Sequence, residues 1–481
     1  MCCNSQQPSG QPLSVKLPDC GCRSRGAGLY SRAVESGKDH RLPLSFPNTR
    51  TERERQESAM RFLLASWGSR GDVEPFVAVG RELQRRGHAV RIITPPDLVG
   101  FAEAAGLAAD SCGLETRAWL DVHTAFWRCV LRTPWKVDDL TRLWREVGQL
   151  IGQCWGEMGK TLMSLADRAD VLFSNVSFEQ PAANVAECYG IPLATLHYRP
   201  IRANGHLVPL VPAPLVRFEM RVEDWLSWRM AKKVDNAQRQ ALGLPPATCP
   251  PSRRIAERGS LEIQAYEEIC FPGLAAEWAR FDGRRPFVGA LTMELPGDAD
   301  DEVASWVAAG TPPIYFGFGS IPVEAAADTI AMISAACAQL GQRALVCAGW
   351  SDFSRVPRFE HVKVVDAVNF AVTFPACRAL VHHGGAGTVA AGLRAGVPQL
   401  ILPMMPDHSI WAAQLRRLNV GLGRRFSSTT QKTLIRDLRR ILHPQYGIQA
   451  RRLATQVTTP AESVATTADL VEEFARTRRV S

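Results

Sequence analysis

Short apolar runs, each the length of one buried strand and separated by a helical stretch, recur along most of this 481-residue chain. Such a pattern closes its backbone hydrogen bonds as a parallel sheet flanked by helices, because neighbouring parallel strands need a crossover between them. The first series predicts strands at 62–66, 89–94, 171–174 and 193–197, with a helix over 75–86. The rhythm restarts after Pro312, with strands at 314–318, 344–348, 362–365, 379–382 and 399–402 and an alanine-rich helix over 325–340. The prediction is an α/β chain of two doubly wound domains, 60–285 and 311–460, followed by a terminal segment 461–481 with a helix over 461–476. The join at 286–310 contains Pro296, Gly297 and the acidic run Asp298-Ala-Asp-Asp301. A ligand of such a pair belongs between the domains, outside the carboxyl ends of the strands. Fold alone does not choose its chemistry.

Length and composition exclude several other classes. The chain is too long for one ordinary core, and 46% apolar with 22% charged residues is the balance of a folded globular protein. The longest window without a charge, residues 303–323, is broken by Gly310, Pro312, Pro313, Gly317 and Gly319, so it does not read as a membrane span. The first 30 residues hold no apolar signal core, and the reading is a soluble protein acting inside the cell, in the cytoplasm. Residues 1–59 are rich in Ser, Gly, Pro, Gln and Arg and read as a disordered extension, with the functional protein expected to begin near Met60. Net charge is +8 overall and +5 without that extension, too mild to argue for nucleic acid. A weak preference for anionic surfaces such as lipid headgroups fits it, and hence peripheral contact with the inner face of a membrane. Nine of the 13 cysteines stand singly inside apolar segments without metal-ligand spacing, and are expected to be reduced, buried and inert.

Nine of the 12 tryptophans precede Pro286, and Trp119, Trp127, Trp135, Trp144 and Trp155 recur every eight to eleven residues. That spacing fits one helical face packed in a core. It equally fits an aromatic wall for a large apolar molecule.

Four turns carry the chemistry. Val381-His-His-Gly-Gly-Ala-Gly-Thr388 ends a strand and opens a helix, where glycines admit a ligand to the backbone and free amides attract a diphosphate. His383 and Thr388 add side-chain donors, unless the glycines serve the turn alone. Adjacent His382 and His383 point to opposite faces of a strand and make a poor zinc pair, so no metal site is expected. Ile314-Tyr-Phe-Gly-Phe-Gly-Ser320 brings Gly319 and Ser320 to the same sheet edge. Gly68-Ser-Arg-Gly-Asp-Val-Glu-Pro75 places Asp72 at the matching edge of the first domain, as a cap for the helix before Pro75, as a general base, or as both. Leu402-Pro-Met-Met-Pro-Asp-His408 presents Asp407 and His408, and a carboxylate suits paired sugar hydroxyls.

Taken together, residues 60–75, 382–388 and 396–403 resemble bacterial glycosyltransferases of the GT-B fold, family 1 type, that decorate glycopeptide antibiotics, mycobacterial glycopeptidolipids and sterols. The resemblance covers about 60–475 and is thin between 100 and 280. It implies two Rossmann-like domains facing across a cleft, with the last helix crossing back to the first domain. The reaction implied is an inverting, metal-independent transfer from an NDP-sugar co-substrate to an acceptor hydroxyl, with no cofactor. Asp72 falls on the catalytic base. Ser69, Gly319, Ser320, His383, Gly384, Gly385, Ala386, Gly387 and Thr388 fall on the donor's diphosphate site, and Asp407 and His408 on its sugar site. The chain departs from the family at His408, where Gln is usual. Relatives in the wider superfamily use a histidine where Asp72 stands.

An unshifted aspartate near pH 4 would be a weak base, so proton transfer is expected late in the reaction. The acceptor implied is large and apolar, a glycopeptidolipid-like lipid or natural product, and the donor a dTDP-deoxysugar such as rhamnose, or UDP-glucose. The rival readings are a sterol 3-beta-glucosyltransferase, an NDP-sugar epimerase and a non-catalytic activator. A dehydrogenase fits least, since no complete G-x-G-x-x-G follows either first strand.

Overall fold

The computed structural model describes residues 59–479, apart from 134, 294–299, 324, 354 and 355. The expected disordered extension and the centre of the expected linker lie outside the described residues. The first half runs β1 (Arg61–Ala65), α1 (Arg70–Arg85), β2 (Ala89–Thr94), α2 (Val99–Ala104), β3 (Ala108–Ser111) and α3 (Thr116–Arg132). It continues through α4 (Val137–Ala166), β4 (Val171–Asn175), α5 (Glu179–Tyr189), β5 (Leu193–His197), α6 (Ala213–Ala241), α7 (Pro251–Glu257), β6 (Leu261–Gln264) and α8 (Leu274–Trp278). The second half comprises α9 (Asp300–Ala308), β7 (Ile314–Gly317), α10 (Ala326–Gln339), β8 (Ala344–Cys347), β9 (Val362–Val365), α11 (Phe370–Thr373) and β10 (Ala379–His382). It ends with α12 (Ala386–Arg394), β11 (Gln399–Ile401), α13 (Pro406–Arg417), β12 (Gly421–Gly423), α14 (Gln431–Ile441), α15 (Pro444–Ala454) and α16 (Pro460–Arg479).

Both sheets have six strands paired in parallel, in the orders β3-β2-β1-β4-β5-β6 and β12-β11-β10-β7-β8-β9. Counted from its own first strand, each order is the doubly wound 3-2-1-4-5-6. The connections leaving β1 and β4, and those leaving β7 and β10, depart in opposite directions. A crevice therefore opens at the carboxyl ends of those strands. Helices cover both faces, so β1, β4, β5, β7, β8 and β10 are buried nearly throughout, which is why they read as unbroken apolar runs.

Three strands carried no such run. β3 is the half-exposed edge sequence Ala-Ala-Asp-Ser, β6 alternates apolar residues with buried Glu262 and Gln264, and β12 is Gly-Leu-Gly. The first helix also starts earlier than expected. It begins at Arg70, with Pro75 inside it, because Ser69 and Asp72 form a capping box one turn upstream of the proline. Seven of the nine described cysteines are buried and all nine are free, whereas Cys188 is exposed and Cys249 half-buried.

The tryptophan series does not lie on one helix, since α3 ends before Trp135, which stands 72% exposed ahead of α4. The halves meet through an apolar cluster in which Tyr266, Phe271 and Trp278 pack against Val389, Leu393, Trp411 and Leu415. Arg394 of α12 adds bonds to Ala290 O and Thr292 Oγ1. The terminal helix α16 lays Ala468, Val471 and Ala475 into the core of the first half, where Glu472 meets Arg86 and His88. Among the described residues no helix is long and apolar enough to cross a membrane.

Candidate active site

The turn after β1 is built around one carboxylate. Gly68 has φ +136°, and a Cβ there would strike the Asp72 Oδ2 atom, so only glycine leaves room for that side chain. The Ser69 backbone N–H (2.8 Å) and hydroxyl (3.1 Å) both donate to Asp72 Oδ2. The Asp72 carbonyl accepts from the hydroxyls of Tyr198 (2.6 Å) and Ser66 (2.8 Å), which fixes the turn to β5 and β1.

Burial pushes the Asp72 carboxyl up to about 6, the Ser69 donors hold it down in part, and the negative charge of Asp407 raises it further. This corrects the expectation of an unshifted acid near 4. The side chain is ionised at neutral pH, yet a stronger base than an aspartate in water. Ser69, expected among the donor contacts, spends its turn-facing groups on Asp72.

In the second half, the turns after β7 and β10 interlock around His383. A Cβ on Gly319, which has φ +63°, would stand 2.5 Å from His383 Cε1, and one on Gly385 would stand 2.6 Å from Nε2. The imidazole thus lies in a slot between two glycine backbones. Burial, and secondarily the neighbouring His408 and His382, hold its pKa well below the usual histidine value. It is a neutral ring whose buried Nδ1 has no partner among the described residues.

Gly384 (φ +107°) and Gly385 then lead into α12, where Ala386, Gly387 and Thr388 expose the unpaired amides of the first turn. A Cβ on Gly387 would meet no atom within 4 Å, so protein packing does not explain that glycine. The hydroxyls of Ser320 and Thr388 make no hydrogen bond among the described residues, and neither does the half-buried Asp407 carboxylate in the first turn of α13.

Beneath these groups lies a layer that sequence reasoning missed. His382 Nδ1 accepts from the Gly384 N–H (3.2 Å), so its Nε2 carries the proton donated to Gln399 Oε1 (2.8 Å). Gln399 in turn donates to Val389 O and fills the space a Cβ on Gly392 would need. Burial holds the His382 pKa at about 4. The signal was present, because Gln399 stands in the resembling segment 396–403, but nothing in the spacing tied it to His382. His408 is likewise buried, its Nδ1 accepting from Met405 N–H (3.3 Å), with its ring centre 5.1 Å from that of His383. It shapes the loop that carries Asp407.

An aromatic train leaves the Asp72 turn along α3. Trp67 packs edge-on against Trp119 (5.7 Å), Trp119 stacks on His123 (5.1 Å), and the Trp127 indole N–H donates to His123 Nε2 (3.0 Å). Phe126 extends it to Trp144 (5.4 Å), which is 44% exposed. A separate buried cluster, Glu179, His197 and Glu262, brings three ligand-type atoms within 4.8 Å of one another. The Arg202 guanidinium bonds both carboxylates there and Arg285 pairs with Glu262, so this cluster already holds its cations. Burial would raise Glu179, but Arg202 and His197 hold it at about 2.

Residues 62–149 match the glycosyltransferase family 28 N-terminal domain, and residues 319–472 match the C-terminal domain described as erythromycin biosynthesis protein CIII-like. An uncharacterized glycosyltransferase of Mycobacterium tuberculosis is 56% identical over 423 residues, which is 87% of this chain and all of that one. A sterol 3-beta-glucosyltransferase of Arabidopsis thaliana is 26% identical over 85% of this chain and 68% of its own length. Among solved structures, the kitacinnamycin glycosyltransferase superposes with a TM-score of 0.64 at 17% identity, covering 86% of this chain and 99% of that one. The glycosyltransferase VinC in complex with dTDP superposes with a TM-score of 0.56 at 17% identity, covering 87% and 100%.

Proposed function

Because the chain belongs to the glycosyltransferases and has their GT-B fold, we propose that it is an inverting, metal-independent hexosyltransferase acting on a large apolar acceptor. The observation that carries this reading is the convergence of Asp72 from one half and Asp407 from the other, with the Asp407 charge reaching across the crevice to raise the Asp72 carboxyl.

In this reading the donor's diphosphate sits on the first turn of α12. As the glycosidic bond to the nucleotide breaks, negative charge grows on the β-phosphate. The α12 amides, its dipole and one N–H of the neutral His383 ring meet that charge in place. The hydroxyls of Ser320 and Thr388, on turns at the same sheet edge, add donors to the phosphates, and Asp407 accepts from donor-sugar hydroxyls. Asp72 takes the proton of the acceptor hydroxyl as its oxygen attacks the anomeric carbon from the face opposite the departing nucleotide. With its pKa near 6, Asp72 accepts that proton earlier along the reaction than an unshifted aspartate would.

The dTDP-bound neighbour supports a dTDP-deoxysugar such as rhamnose as donor, with UDP-glucose the other choice. The aromatic train on α3 supports an apolar acceptor, a glycopeptidolipid-like lipid or natural product. The sterol-glucosylating relative keeps a sterol as the second reading. We further place the acceptor at a lipid surface, met peripherally by the first half.

Thermal unfolding with UDP, dTDP, GDP and NAD in turn tests the donor site. A nucleotide at about 100 times its Kd adds roughly 2.7 kcal/mol, enough to raise the midpoint by several degrees. A rise with UDP or dTDP and none with NAD is expected. No rise with any nucleotide would leave the cleft without its donor and favour a non-catalytic activator.

A further inference from the structure

His123 lies on the described part of α3, outside every motif that the transfer chemistry uses, and its environment is unusually specific. The Trp127 indole is a donor only, so the His123 Nε2 atom that receives its N–H at 3.0 Å must be unprotonated. Burial keeps the ring neutral. A neutral ring with a bare Nε2 carries its one proton on Nδ1. That Nδ1 is buried and has no hydrogen-bond partner among the described residues. A buried donor without an acceptor costs free energy, and such atoms call for an explanation such as a ligand.

The position of the ring supplies one. Thr116, at the start of α3, donates its hydroxyl to Gly68 O (2.8 Å), the residue that makes room for the Asp72 carboxylate. Two turns further on, His123 is stacked on Trp119, which packs against Trp67 beside that same turn. From the opposite half, the charge of Asp407 acts on the His123 ring. The ring is thus held by Trp119 on one face and Trp127 at one edge, on the helix that starts against the Gly68 turn and within reach of the Asp407 charge. It is the polar group in an otherwise apolar stripe of Trp119, Phe126 and Trp127.

We propose that the Nδ1–H of His123 is the hydrogen-bond donor that fixes an oxygen of the apolar acceptor against the aromatic face of α3. The proposal rests on reading the crevice as a sugar-transfer site and deepens it. The acceptor class it names is a flat or ring-bearing apolar molecule with an oxygen near its reacting hydroxyl. Trp127 is a positioning residue, since its indole sets the tautomer that makes Nδ1 the donor.

Calorimetric titration with 2-naphthol and 2-methylnaphthalene, two probes of one shape with and without the oxygen, tests it. Wild-type protein is expected to bind 2-naphthol about tenfold more tightly, the scale of one buried hydrogen bond. His123→Phe keeps the ring stack and loses that preference, whereas His123→Asn, whose amide N–H₂ falls near Nδ1, regains most of it. Trp127→Phe, which frees the tautomer, lowers the preference without touching His123, and serves if His123→Phe does not fold. A wild-type protein with no preference, or a preference that survives His123→Phe, overturns the proposal. The nucleotide-dependent rise in unfolding midpoint is measured on the same samples. Its loss in wild type would sink the transferase reading whatever the naphthols do, while its presence with an unchanged naphthol preference would sink this inference alone.

Discussion

Asp72 holds two positions at once. As the third helical residue it caps α1 through Ser69, an arrangement that favours the ionised carboxylate at a helix N-terminus. Burial and the facing Asp407 oppose that ionisation and win, leaving the folded pKa at about 6. The unfolded value is about 4. The folded chain therefore keeps its proton where the unfolded chain has lost it, and stability falls as pH rises from about 4 through about 6. Asp72→Asn is expected to lower turnover about 100-fold or more, the scale of general-base loss. It should also raise the unfolding midpoint at pH 7–8, with the gain shrinking as pH falls towards 4. In wild type, kcat/KM should fall below a midpoint near pH 6. A substitution whose stabilising effect over wild type is no larger at pH 8 than at pH 5 would contradict the burial argument, and near-wild-type turnover would remove Asp72 from the base role.

Two glycines of the proposed donor site separate packing from ligand access within the β7 turn and α12. Gly319 has φ +63° and His383 against it, so Gly319→Ala should destabilise the fold by about 1–3 kcal/mol. Gly387 faces open space at a helical position, where alanine is the better helix former by roughly 0.5–1 kcal/mol. Gly387→Ala is therefore expected to melt slightly higher than wild type without nucleotide and to gain less from UDP or dTDP. Equal nucleotide shifts in the two proteins would mean that this glycine serves no ligand. The tryptophans teach the converse at the same scale. Their even spacing crosses the break between α3 and α4, so Trp119 and Trp127 share a helical face while Trp135 stands in solvent.

At the scale of the whole molecule, α6 is apolar on two opposite sides. Val216, Met220 and Trp228 are buried, while Leu215, Phe218, Val222, Trp225 and Leu226 face outward at 38–67% exposure. Arg229 lies over Trp225 at 5.6 Å, a cation beside an amphipathic ring of the kind that anchors helices at a bilayer interface. If the acceptor is met at a lipid surface, the protein should co-sediment with phosphatidylglycerol vesicles through this face. Phe218→Ser with Trp225→Ser should then reduce the bound fraction severalfold and leave the nucleotide-dependent midpoint shift unchanged. Equal sedimentation of both proteins would remove α6 from that role.

The sequence alone determined what local chemistry enforces. Buried parallel strands must be continuously apolar, so nine of the twelve described strands were legible, and glycine-rich turns at their ends marked where backbone approaches a ligand. The half-exposed β3, the glycine-bounded β12 and the polar-alternating β6 left no such trace. Tertiary structure decided whatever depends on neighbours distant in sequence. Asp72 became a raised carboxyl because the fold buries it and brings the charge of Asp407 to bear on it, and Gln399 became the support of the glycine loop because β11 lies beside β10. The unpaired Nδ1 of His123 is likewise a tertiary feature, since its burial without an acceptor depends on what packs around α3. Burial and electrostatic field are properties of assembled surroundings, and no single stretch of chain encodes them.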